Sequence, residues 1–228
     1  MSHLVTLLVV RHGEAEGNRE HRFIGQSDTA LSELGRYQAE AVARRLAGLP
    51  ITHIVSSDLG RAMDTIAPLA EAVGVPVTAD ERLREIANGD WTGLLPDEIA
   101  ARWPEIWARY RAGEDVQRPQ GESWQDVRRR VTAAAQDIIG DAAEGDLVVL
   151  STHAGPALSL LLWAAGVHES GNIFSGPFSR IDNGSISTIV APGPRLAGVN
   201  DVGHLRPAPA EFSGPLGRLD QGRPFIIT

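Results

Sequence analysis

Leu4-Val5-Thr6-Leu7-Leu8-Val9-Val10 is an almost unbroken apolar and β-branched run that stops at Arg11-His12. A run of that length without alternation predicts a strand covered on both faces, as in a parallel sheet. Ile54-Val55-Ser56-Ser57 and Leu147-Val148-Val149-Leu150 repeat the pattern in shorter form, and Ile186 to Val190 is a further strand candidate. Between these runs the period changes. From Ser32 to Leu46, the residues Ala39, Val42, Ala43 and Leu46 fall on one helical face. Leu59 to Val73 reads as a second helix, closed near Gly74 and Pro76. Pro68 lies inside it, where a proline can kink or split a helix. Ser123 and Asp126 have the spacing of a capping pair, opening a helix with Val127, Val131, Ala135 and Ile138 on one side. A last apolar helix is expected from about Pro156 to Ala165.

Strands alternating with helices predict an α/β fold, a three-layer sandwich with a mostly parallel central sheet flanked by helices. The stretch from about 87 to 120 breaks the alternation. It interleaves Trp91, Trp103, Trp107 and Tyr110 with Arg102, Arg109, Arg111 and Arg118. It reads as a small helical insertion over the sheet, packing as local core or serving as a substrate lid. No internal repeat divides the chain, so residues 1–228 are read as a single domain. A Pro- and Gly-rich tail from 207 to 228 ends in Pro224-Phe225-Ile226-Ile227, and is expected to wrap the surface and dock its apolar end.

Composition narrows the chemistry. At 228 residues and 43% hydrophobic content the chain can bury a substantial core. Its net charge of -8 disfavours nucleic acid and acidic membrane surfaces as partners, which want a basic face. An anionic small molecule remains open if a few arginines gather locally. Cysteine is absent, which excludes disulfides, thiolate nucleophiles and Cys-based metal sites. Lysine is absent too, all 21 basic residues being Arg, which excludes a Walker A loop and Schiff-base chemistry. The N-terminal apolar run lacks a basic leader and a small-residue cleavage site, and no other run is long enough to span a bilayer. A soluble cytoplasmic protein is expected, and the chain is compatible with a homodimer.

Two histidines stand at the ends of buried strands. His12 follows the first strand and His153 follows Leu147 to Leu150. Ligands of open α/β sheets bind beyond the carboxyl ends of the strands. If the two strands are neighbours, the two imidazoles face one another across a small pocket, and Arg61 can reach the same edge. His3, His21, His53, His168 and His204 show no metal-ligand spacing and are expected to be structural or exposed.

Arg11-His12-Gly13-Glu14 with Asn18 resembles the signature of the histidine phosphatase superfamily, the phosphoglycerate-mutase-like fold. The likeness continues in order through Gly25, Asp28, Leu31-Ser32 and Gly35, then Ser56-Ser57-Asp58-Leu59 with Arg61-Ala62. Leu83-Arg84-Glu85 with Gly89, Trp91 and Gly93 comes next, then Gly121-Glu122-Ser123, His153, Asn183-Gly184-Ser185 and His204-Leu205. This resemblance implies His12 as a nucleophile that forms a phosphohistidine, with Glu85 as acid and base and His153 beside the phosphoryl group. It implies Arg11, Asn18, Gly25, Arg61 and Ala154 around the substrate, and neither metal nor cofactor. The substrate class would be a small soluble phosphate ester.

The chain also departs from the family pattern. Ala154-Gly155-Pro156 follows His153 where the family often has Gly-Gly or Gly-Asn, and Gly17 replaces a frequent aromatic residue. Ile24 stands where the mutases usually carry a small polar residue. The segment Glu85-Ile86-Ala87-Asn88-Gly89-Asp90-Trp91-Thr92-Gly93 is similar to the phosphatase branch, whereas mutases usually place a Tyr and a Lys nearby. Hydrolysis is therefore the leading expectation. A phosphomutase and a non-catalytic phosphate-binding regulatory module are the alternatives, separated by whether free phosphate is released. A metal-dependent phosphatase fits poorly without a clustered Asp/His ligand set.

Overall fold

The computed structural model describes residues 4–16, 22–167, 173–175, 178 and 180–206. Asn18, Gly17 and the tail from 207 lie outside the described residues, as do His3, His21 and His168.

The first apolar run forms β1 (Val5–Arg11) at the middle of a six-stranded sheet. The other strands are β2 (His53–Ser56), β3 (Val77–Ala79), β4 (Leu147–Thr152), β5 (Ile186–Ala191) and β6 (Arg195–Asp201). Their order is β3-β2-β4-β1-β5-β6. The first four in that order are parallel, and β5 and β6 join antiparallel at the far side. The expected mostly parallel α/β sandwich is therefore what the chain forms.

Helices cover both faces of the sheet. On one face α1 (Glu33–Leu46) and α2 (Gly60–Val73) pack on each other and on Leu8, Val10, Ile54 and Val149. On the other face α5 (Trp124–Asp141) and α6 (Ala154–Ala164) bury Leu7, Val9, Val148 and Leu150. Burial on both faces is why β1 and β4 carry continuous apolar runs. Ser32 caps α1 by accepting the Gly35 N–H, and Ser123 with Asp126 forms the expected capping box of α5.

Three local features differ from the sequence pattern. The strands β3 and β6 were not signalled, because β3 has only three residues and β6 alternates between exposed and half-buried positions. Pro68 neither splits α2 nor ends it. The carbonyl it leaves unpaired belongs to Asp64, which is exposed to water. α6 begins two residues ahead of Pro156, a first-turn position where a missing N–H costs nothing.

The insertion folds as two short helices, α3 (Pro96–Arg102) and α4 (Pro104–Arg111). Phe23, Trp91, Ile99, Tyr110 and Val116 form a separate small core there. The aromatic cluster is thus a packed unit, and Tyr110 and Arg118 also wall the cleft described next.

Candidate active site

β1 and β4 are hydrogen-bonded neighbours in parallel register, with Arg11 opposite Thr152. The next residue on each strand is a histidine. The His12 N–H donates to the Thr152 carbonyl at 2.9 Å, and the two rings lie 5.0 Å apart, centroid to centroid. β2 ends beside β4, and the Ser57 N–H donates to the Ser151 carbonyl at 2.9 Å. Three strand ends therefore deliver His12, His153 and Ser57 in a row.

His12 is held in one tautomer. Its Nδ1 lies 2.6 Å from the Gly13 carbonyl oxygen, an acceptor only, so Nδ1 carries the proton and Nε2 keeps its lone pair. Burial and the nearby Arg61 and Arg11 charges hold the His12 pKa well below its ordinary value of 6.5. Burial and the same arginines depress His153 likewise. Both imidazoles are neutral at neutral pH.

His153 places Nε2 2.8 Å from the Ser57 Oγ. The Ser57 oxygen also accepts the Leu59 N–H at 3.3 Å, and its own proton can be given to Nε2. When Ser57 donates to Nε2 the ring proton of His153 sits on Nδ1, a buried atom without a partner among the described residues.

The arginines are seated from opposite sides. Arg61, 3% exposed, donates to the Gly25 and Ser27 carbonyl oxygens at 2.6 and 2.8 Å. Gly25 has φ +55°, and a Cβ there would press on the Ile86 oxygen and the Asn88 amide. Arg11 donates to the Ile181 carbonyl, and burial pushes its pKa down to about 10. Burial also lowers Arg61.

Glu85 enters from the segment after β3. Its Oε1 accepts the Ile86 N–H at 2.8 Å, and its Oε2 accepts the Gly155 N–H in the first turn of α6 at 3.2 Å. A Cβ on Gly155 would stand 2.5 Å from the Glu85 Oε1 and 2.5 Å from the Trp124 ring. The glycine in Ala154-Gly155-Pro156 thus makes room for the carboxylate.

Arg11, His12, Gly25, Arg61, Glu85 and Ala154 line one cleft of about 520 Å³, its open mouth included. His153 adjoins this lining, its ring packed against that of His12. Every expected site residue among the described ones is brought to this place.

Arg118 and Tyr110, which the sequence placed in an aromatic stretch read as local core or substrate lid, also line the cleft; sequence reasoning gave no site role to Trp124 and Asn88, which line it too, or to Ser57 and Gly155. For Ser57 the signal was its place directly after a buried strand. For Arg118 it was an arginine inside an aromatic cluster. Among the described residues no group of three His, Asp or Glu side chains is placed to hold a metal ion. His53 is exposed, and the His204 Nε2–H donates to the Gly184 carbonyl oxygen at 2.9 Å.

A nucleophile-ready imidazole among buried arginines, at the carboxyl edge of such a sheet, defines a phosphoryl-handling α/β enzyme. The chain belongs to the histidine phosphatase superfamily, branch 1, whose family model matches residues 7–198. It is an enzyme of the histidine phosphatase type.

The chain is similar to a protein named probable phosphoglycerate mutase GpmB from Enterobacter sp. (strain 638). The two are 39% identical over 161 residues, covering 70% of this chain and 74% of that one. Among solved structures it is similar to Bacillus stearothermophilus YhfR, with a TM-score of 0.80 and 32% identity, covering 88% of this chain and 99% of that one. It is also similar to a mycobacterial glucosyl-3-phosphoglycerate phosphatase solved with VO3. There the TM-score is 0.75 and the identity 34%, covering 86% of this chain and 98% of that one. No helix among the described residues is long and apolar enough to cross a membrane.

Proposed function

We propose that the chain hydrolyses small soluble phosphomonoesters through a phosphohistidine on His12, without a metal ion. The observation that carries this reading is the His12 Nδ1–H bond to Gly13, which leaves Nε2 unprotonated in the arginine-lined cleft.

In the first step Nε2 attacks phosphorus and the P–O bond to the alcohol breaks. Glu85 in its protonated form gives the departing oxygen its proton, and phosphohistidine remains. In the second step Glu85, now a carboxylate, takes a proton from water. The hydroxide attacks phosphorus, the P–N bond breaks, and Nε2 regains its lone pair. Arg11, Arg61 and the Nδ1–H of His153 stabilise the charge spread over the phosphoryl oxygens, a task that metal ions perform elsewhere. The Ala154 end of α6 adds the positive end of a helix dipole.

The name of the GpmB relative favours a second reading, phosphate transfer between hydroxyls of a phosphoglycerate. One assay separates the two. Phosphate release is followed over a panel of phosphomonoesters with chelator present, for the wild type and His12→Ala. Release that survives chelator and vanishes in His12→Ala is the expected result. Movement of phosphate between hydroxyls with no free phosphate would replace hydrolysis by the mutase reading. Absence of both would leave a binding module.

A further inference from the structure

Glu85 stands on a segment without regular structure of its own. β3 ends at Ala79, and the residues from Arg84 to Asn88 belong to no helix or strand. The backbone carbonyls of such a stretch must find partners elsewhere. Three of them converge on one side chain. Arg130 of α5 donates through Nη1 to the Arg82 and Arg84 carbonyl oxygens, both at 2.6 Å, and through Nη2 to the Glu85 carbonyl oxygen at 3.0 Å.

The remaining donors of Arg130 meet Glu122. Nε donates to Oε1 at 2.8 Å, and Nη2 donates to Oε2 at 3.0 Å. A guanidinium carries five N–H donors in one plane, and Arg130 uses all of them. Glu122 in turn grips the far side of the segment. Its Oε2 accepts the Ala87 N–H at 2.8 Å, and its own N–H donates to the Ala87 carbonyl oxygen at 2.8 Å. The main chain is thus held before Glu85, at Glu85 and two residues after it. The Arg130 and Glu122 side chains are only 18% and 22% exposed, so water screens the pair weakly.

This clamp acts on the place where Glu85 starts, while other groups fix where its carboxylate ends. The carboxylate accepts the Ile86 and Gly155 N–H groups. Both contacts require the main chain at Glu85 to stay at its present distance from α6. Arg130 and Glu122 are not among the residues that line the cleft, so they act on a substrate only through the segment they hold. The bonds that seat His12 and Arg61 run to Gly13, Gly25 and Ser27 and do not include the clamp.

We propose that Arg130, locked by Glu122, is the positioning residue for the acid: it sets the backbone of Glu85 so that the carboxyl group meets the leaving oxygen. This assignment rests on the hydrolase reading, in which Glu85 protonates that oxygen. Loss of the clamp removes proton donation and spares phosphate binding and the attack by His12.

The test compares phenyl phosphate with p-nitrophenyl phosphate, similar in shape but with leaving oxygens of unequal basicity. It reads kcat/KM, which covers the steps up to phosphohistidine formation. Arg130→Met is expected to lower kcat/KM about tenfold to a hundredfold for phenyl phosphate and about threefold or less for p-nitrophenyl phosphate. A merely structural loss lowers both alike. The same measurement in a Glu85→Gln background completes the cycle. There Arg130→Met is expected to cost at most about a further threefold on phenyl phosphate, because the group it positions is already gone. Equal losses on the two esters, or a full loss added on top of Glu85→Gln, would overturn the assignment. Should Arg130→Met not fold, Glu122→Gln takes its place. It keeps the shape of the fork but replaces one accepting oxygen by an NH2 group. The same bias against phenyl phosphate is expected, and equal losses overturn the assignment. A wild type that releases phosphate from no ester overturns the hydrolase reading and this assignment with it, whereas equal losses in an active enzyme overturn this assignment alone.

Discussion

In the proposed reaction His12 acts as a neutral ring with its proton on Nδ1, the form that the Gly13 carbonyl holds. In the same proposed reaction His153 needs that tautomer to donate to a phosphoryl oxygen, and the partner that supports it is the Ser57 hydroxyl at 2.8 Å. Ser57→Ala is expected to lower kcat/KM for phosphate esters about tenfold, since the ring can then present a lone pair instead of a donor. Ser57→Thr, which keeps the hydroxyl, is expected to retain most activity; equal losses in both variants would assign Ser57 a packing role. Gly155 matters through what it lacks. In Gly155→Ala the new methyl meets the Glu85 carboxylate and the Trp124 ring. A fall of about a hundredfold in kcat is expected for alkyl phosphates, the contribution of a positioned acid. p-Nitrophenyl phosphate, whose leaving group needs no proton, should lose far less, and parallel losses on both substrates would sink this role for Glu85.

At the scale of elements, the site is where three parallel strands stop and a fourth segment closes over them. The turn after β1 is fixed by the start of α1. The Gly13 N–H donates to the Thr65 hydroxyl on α2, and Ser32 donates to the Glu14 carboxylate. Gly35 in the first turn of α1 lies so close that a Cβ there would overlap the Glu14 backbone oxygen. Backbone cannot move aside as a side chain can. Gly35→Ala is therefore expected to destabilise the protein by about 1–3 kcal/mol and to displace the His12 turn. Urea unfolding and phosphate release should fall together, and an unaffected midpoint would show that the two elements can separate freely.

Across the whole molecule, the buried histidines couple activity to acid stability. Their folded pKa values lie below 6.5, so below that pH the unfolded chain binds protons that the folded chain refuses. Stability is fully present above pH 6.5 and is lost as pH falls beneath it, at roughly 1.4 kcal/mol per pH unit for each histidine. Thermal melts at pH 7.5 and 5.0 should show a marked drop in Tm. The double variant His12→Asn/His153→Asn should show a smaller one. The same neutrality keeps Nε2 of the free enzyme nucleophilic in mildly acidic solution.

The strands that mattered most were legible because burial on both faces demands apolar sequence, which β1 and β4 show as long runs and β2 and β5 as the shorter Ile54-Val55 and Ile189-Val190-Ala191. Short or half-exposed edges such as β3 and β6 carry no such demand and left no mark. His12, His153, Arg11 and Arg61 were legible because they stand next to buried strand ends or open the following helix. The ordered motifs from Arg11 to Asn183 placed them in one family. Sequence by itself therefore determined the layered fold, the family and the residues at the centre of the cleft, since these depend on local pattern and chain order. Tertiary structure alone decided which tautomers the histidines hold, why Gly155 must lack a side chain and which arginine grips the segment of Glu85. Each of those depends on groups distant in sequence meeting within a few ångströms, where hydrogen bonds and excluded volume act and periodicity is silent.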